Sequence, residues 1–103
     1  MPYKMPSWAP RGAVPVEDAL IELGRTVWLC GKIRAKYTPE MSGDTVTVLE
    51  FVHTSNIVID HIGEDWTVIS GSDYCFRGRP YPVIDYNGKG VVAIDIYSLE
   101  DIY

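Results

Sequence analysis

The sequence predicts a mainly β domain with one short helix, arranged as a small, partly closed antiparallel barrel or coiled meander of five to seven strands. Three observations carry that expectation. Beyond Arg25 apolar residues recur with a period close to two, the segments that do so are rich in β-branched and aromatic residues, and short turn-forming clusters separate them. The chain has 103 residues, the length of a single domain, and its 47% hydrophobic and 22% charged composition lies far from the signature of disorder.

Residues 1–15 hold four of the seven prolines (Pro2, Pro6, Pro10 and Pro15) and follow neither period. An extended arm is expected there, either a flexible terminus or a strap laid across the domain or a partner by Tyr3 and Trp8. Residues 16–103 form the β-rich domain. At its start Val16, Ala19, Leu20 and Leu23 recur at i, i+3, i+4 and i+7, Pro15 suits the first helical position, Glu17 and Asp18 sit at the positive end of the dipole, and Gly24 is a stop. A short amphipathic helix near 16–23 follows. Val14 has no side-chain acceptor to cap it, so the helix depends on packing against a sheet.

The expected strands are Thr26 to Tyr37, Thr45 to His53, Ile57 to Ile62, Trp66 to Ser70, Val83 to Tyr86 and Val91 to Tyr97, with Tyr74 to Phe76 as a short seventh. In the first, Val27, Leu29, Ile33, Ala35 and Tyr37 share one parity, while Thr26, Lys32, Arg34 and Lys36 share the other, which makes one face wet. A change of parity at Val48-Leu49 predicts a bulge or bend there. Met41-Ser42-Gly43-Asp44, Thr54-Ser55-Asn56, Gly63-Glu64-Asp65, Gly71-Ser72-Asp73 and Asn87-Gly88-Lys89-Gly90 are the turns, the last the strongest hairpin signal. Such short links imply antiparallel neighbours and a domain of SH3-like or OB-like size.

Cys30 and Cys75 both lie in apolar stretches, so buried thiols acting as small hydrophobes are expected before a disulfide, catalysis or a metal. Zinc would need both of them with His53 and His61, and none of the usual ligand spacings is present. No cofactor is expected. No stretch reaches the roughly 20 apolar residues that cross a bilayer, and Met1 to Pro6 lacks the apolar run of a signal peptide, so a cytoplasmic protein without membrane contact is the default expectation.

The net charge is −5, which weighs against a general phosphate binder, and it is unevenly placed: residues 38–76 carry seven acids and no Lys or Arg. Most of these acids fall in expected turns, where solubility explains them. Their sharper reading is a negative surface offered to a basic partner. The residues that would carry it are Glu40, Asp44, Asp60, Glu64, Asp65 and Asp73, with Trp8, Trp66 and Tyr81 as aromatic anchors, because Tyr and Trp are the usual interface residues.

The counter-signal is cationic. Trp28, Lys32, Arg34 and Lys36 share a parity, and Arg77 and Arg79 flank a glycine, as in proteins that bind single strands with a basic track and stacking rings. A hairpin centred on Met41 would set Lys32 opposite Glu50 and neutralise part of that track. The first-ranked expectation is a non-enzymatic protein-interaction module whose partner has a basic surface, extended by analogy to inhibition of a nucleic-acid enzyme of the phage or mobile-element type. Single-stranded nucleic-acid binding ranks second. A small enzyme or ligand-binding barrel using His53, Asp60 and His61 ranks third, since no nucleophile, base and orienting group fall into a recognisable pattern.

Overall fold

The computed structural model describes residues 3–37, 46–54, 56–62, 68–84 and 87–103, and the side chains of all of these except Val46, His61 and Ile62. The fold is mainly β. Among the described residues seven strands form a mixed sheet: β1 (Val14–Pro15), β2 (Val27–Tyr37), β3 (Val46–Phe51), β4 (Ile57–Ile62), β5 (Asp73–Gly78), β6 (Tyr81–Ile84) and β7 (Gly90–Ile96). A 3-10 helix, η1 (Val16–Glu22), lies between β1 and β2.

The long strand β2 serves two ladders. Its first half pairs with β5 from Val27 opposite Gly78 to Lys32 opposite Asp73, and its second half pairs with β3. Between Ile33 and Ala35 the β2–β3 register slips, leaving Arg34 as the extra residue at which the strand bends from one ladder to the other. The bulge therefore lies on β2, not at Val48-Leu49, where β3 runs in unbroken register with β4. Val48 and Leu49 point to opposite faces of the sheet and are both buried, which accounts for the parity change. The hairpin is centred beyond Met41, so Glu50 stands opposite Ala35 rather than Lys32.

From β3 the sheet continues through β4 and β7 to β6. The β4–β7 pair is parallel, as is β1–β2, so the antiparallel rule inferred from short turns fails at two places. β5 pairs with β2 and β6 with β7, and only Arg79 and Pro80 separate them, so together they carry the chain from one side of the sheet back to the other. With the two-residue β1 set aside and β5 and β6 counted as one interrupted strand, a long bent first strand (β2), a third strand (β4) parallel to the last (β7), and a penultimate one (β5–β6) that returns to the first make the path of the OB fold, a partly open Greek-key barrel. Gly78 sits at this crossing, where a Cβ would run into the Cγ2 of buried Ile94.

The core lies inside this curl: Leu29, Ile33, Leu49, Phe51, Ile57, Ile59, Phe76, Val92, Ile94 and Ile96, closed at one end by Val16 and Ala19 of η1. The helix differs from expectation. Pro15 is its extended N-cap, and only Val16 and Ala19 are buried, whereas Leu20 is 63% exposed and Leu23 40%. In a 3-10 helix residues i and i+3 eclipse, so the apolar stripe at i+4 and i+7 rotates away from the core. The segment 68–70 is not a strand; Ile69 N–H donates to the Tyr74 hydroxyl (3.0 Å), and the adjacent strand is Asp73–Gly78.

The arm packs on the outer face of the β2–β5 ladder. Tyr3 is buried against Cys30 and Cys75, with Met5, Ala9, Ala13 and Trp28 around them. Its backbone N–H donates to Glu17 Oε1 (2.8 Å) and its hydroxyl to Asp73 Oδ1 (3.0 Å). Cys30 and Cys75 are joined by a disulfide, which overturns the expectation of two buried thiols. The cause is register: the two residues are direct partners on β2 and β5. Cys75 exchanges both backbone hydrogen bonds with Tyr103 on its other side, so Cys30 and Cys75 form a non-hydrogen-bonded pair, the closely spaced kind.

Candidate functional site

The outer face of the β2–β3–β4–β7–β6 ladder holds the site. One cross-strand row reads Tyr37, Val48, Asp60 and Asp95, taken from β2, β3, β4 and β7. Alternation places them there: Ile57 and Ile59 of β4, and Val92, Ile94 and Ile96 of β7, point into the core, so Asp60 and Asp95 point out. Parallel pairing puts the two carboxylates side by side.

Asp95 is held by tyrosines. Tyr81 Oη–H donates to its Oδ1 at 2.7 Å, and Tyr97 Oη lies 3.5 Å from Oδ2. Asp60 is different, because its Oδ1 is buried and has no hydrogen-bond partner. Burial first, and the charge of Asp95 second, push the Asp60 carboxyl up to about 6. The Tyr81 phenol is raised as well, by burial, then by its bond to Asp95 and the surrounding negative charge. Beside Asp60 lies a hollow of about 170 Å³, lined by Tyr37, Val48, Val58, Val83, Ile84 and Val91 as well as Asp60 itself.

Of the acids expected to face a partner, Glu40, Asp44, Glu64 and Asp65, together with Trp66, lie outside the described residues. Asp73 is committed to the arm through Tyr3 and stands opposite Lys32. Asp60 and Tyr81 share the site through Asp95, whereas Trp8 is on the other ladder, 44% exposed and stacked on Tyr103 with ring centroids 5.7 Å apart.

The cationic set is divided. Arg34 pairs with Glu50 at 2.7 Å, and Arg77 pairs with Asp101 at 2.8 Å while lying over the Trp28 ring at 5.1 Å. Lys32 faces Asp73 in register, and Lys36 and Arg79 are exposed. Lys32 and Trp28 border the β5 ladder, while Arg34 and Lys36 lie past the β2 bend, so no single track forms. His53 has its ring edge-on to Tyr3 at 5.3 Å, and it is five residues beyond Val48, the partner of Asp60, which is about 16 Å along the strand. His53 and Asp60 therefore do not meet, and the His61 side chain is outside the described residues. Among the described residues no three His, Cys, Asp or Glu side chains converge to hold a metal ion.

Asp95 is legible in sequence as a carboxylate on an outward sheet face, with Asp85, which lies outside the described residues, as its expected neighbour rather than Asp60, and Tyr97 and the valines of the hollow are not among the expected site residues. A signal for both carboxylates existed. Ile57 to Asp60 and Val91 to Ile96 each place one carboxylate in an otherwise apolar run, which is costly unless the charge has a use.

No protein-family signature matches the chain, and no curated protein does. Among solved structures the chain is similar to a protein assigned as an aspartyl-tRNA synthetase from Leishmania major Friedlin, with a TM-score of 0.61 at 9% identity over 99% of this chain. It spans 23% of that protein's length. RecJ from Thermus thermophilus, solved with Mn2+, gives a TM-score of 0.48 at 7% identity over 78% of this chain and 11% of its own. At 9% identity the likeness to the synthetase is one of fold alone.

Proposed function

We propose that this chain is a non-enzymatic protein-interaction module whose outer sheet face, centred on Asp60 and Asp95, receives a basic partner. One observation carries the reading: a carboxylate on the rim of an apolar hollow, with a buried oxygen that no group among the described residues satisfies, next to a second carboxylate. A buried acceptor without a partner costs free energy that a cationic ligand returns. A nucleic acid would bring phosphates to the same face. OB folds often bind oligonucleotides on the face of their second and third strands, here β3 and β4, but that mode needs cations as well as open rings, and beside the exposed Tyr37 and Tyr97 this face offers two acids and an Arg34 already paired to Glu50. A partner that itself binds nucleic acid has the required positive surface, so inhibition of such an enzyme is the form of interaction the charge favours.

Fluorescence anisotropy at low salt separates the readings, with a short labelled peptide rich in Arg and Leu, its Glu-substituted counterpart, and single-stranded oligothymidylate. The basic peptide binds, weakens with salt, and loses at least tenfold in affinity with Asp60→Asn/Asp95→Asn. Binding of the oligothymidylate alone would overturn the proposal.

A further inference from the structure

Two hollows lie on either side of the β6–β7 end of the sheet and share Val83, Ile84 and Val91. The larger, about 560 Å³, is bordered by Leu20, Asn56, Pro82 and Gly90 and, among the described residues, offers no charged side chain to select an occupant. The smaller, about 170 Å³, has one among the described residues, Asp60. Its size is decisive, because sites for small-molecule ligands usually enclose roughly 300–1,000 Å³, and a space of this volume suits a single side chain.

We infer that the small hollow is a socket for one arginine or lysine side chain of the partner, its aliphatic stem against Val48, Val58, Val83 and Val91 and its cation on Asp60. The inference rests on the interaction reading above and names the partner's anchor. The walls and the carboxylate ask for different things, and only one kind of side chain supplies both. A purely apolar one would leave the desolvated Asp60 oxygen without a partner, and an acidic one would meet Asp60 and Asp95 together. Long basic side chains lay an apolar stem along apolar surface and carry the charge at the tip. The charges around the socket leave the role open to a cation from outside. Among the described residues, Asp95 accepts from Tyr81 and lies near the Tyr97 hydroxyl, Glu50 one row away is paired to Arg34, and Tyr37 shares the row of Asp60.

The test uses the whole chain, labelled with 15N and titrated with N-acetyl-arginine amide or with N-acetyl-citrulline amide, which has nearly the same shape and no charge. The arginine compound shifts the amides of Val48, Asp60 and Val91 in a saturable way, and citrulline does so at least tenfold more weakly. Asp60→Asn, which keeps the side-chain shape and removes a poorly solvated charge, erases the difference. Equal responses to the two compounds, or shifts confined to another face, would overturn the socket. If the basic peptide binds but the arginine compound acts elsewhere, the socket fails and the interaction reading stands; if neither binds, both fail.

Discussion

At the scale of single residues, Asp60 has the clearest energetic signature. Its carboxyl titrates near 6 in the folded protein, above its ordinary 3.8, so between those values the native state holds more protons than the unfolded chain. Stability therefore falls as pH rises through that window. Asp60→Asn lacks this slope and can donate to Asp95. It should be more stable than the parent by about 1 kcal/mol at neutral pH, discounted from the full linkage value because the carboxylate keeps some contact with water. Urea unfolding at pH 7 and below pH 3.8 checks this, the difference closing at the lower pH. Binding of a cation has the opposite preference, since it stabilises the carboxylate, so affinity for the basic peptide should drop as pH falls below about 6. Gly78 offers a second test. Its missing Cβ lets β5 cross Ile94, which is fully buried and has nowhere to move, so Gly78→Ala should cost about 1–3 kcal/mol in thermal or urea unfolding. Neither residue's environment could be read from neighbours in sequence, because Asp95 lies on a strand reached only after β5 and β6, and Ile94 arrives by the same route.

At the scale of elements, period-two alternation was legible, and Ile57–Ile62 has the expected bounds. What failed were features decided by long-range geometry. Short turns disclose antiparallel neighbours, but the parallel β4–β7 pair is made by strands joined through β5 and β6, and no turn residue encodes it. The apolar stripe of η1 fits an α-helix, yet the segment winds as a 3-10 helix bounded by extended Pro15 and by Gly24, whose φ of +79° suits only glycine without strain. The disulfide follows the same logic, because burial of each cysteine was visible and their opposition across β2 and β5 was not. It closes a loop spanning 45 residues, for which chain entropy alone gives about 4 kcal/mol. Cys30→Ala/Cys75→Ala should lower the unfolding free energy by an amount of that order in urea titrations. Iodoacetamide should label neither cysteine in the parent until it is reduced.

At the scale of the whole molecule, the two ends of the chain meet over one ladder. The arm buries Tyr3 on the disulfide, Trp8 stacks on Tyr103, Tyr103 contacts Trp28 edge-on, and its backbone exchanges hydrogen bonds with Cys75. Ser98 caps the last 3-10 turn (Leu99–Asp101) by accepting from Glu100 N–H, and Asp101 holds Arg77, so the tail is fixed on both sides of that contact. The ends thus pack on the β2–β5 ladder and not on the larger ladder that carries Asp60. A reductant must displace the arm before it reaches the sulfurs, since both cysteines are fully buried. Returning a side chain such as Tyr3 to water costs about 2 kcal/mol, and opening by that amount slows a reaction roughly thirtyfold. Removing residues 1–9 should therefore speed reduction of Cys30–Cys75 by dithiothreitol about ten- to thirtyfold, measured by quenching and alkylation, while binding of the basic peptide at Asp60 is unchanged. If the truncated and full-length chains were reduced at the same rate, the opening that admits the reagent would be unfolding of the barrel itself, and the arm would hold no separate role in guarding the disulfide.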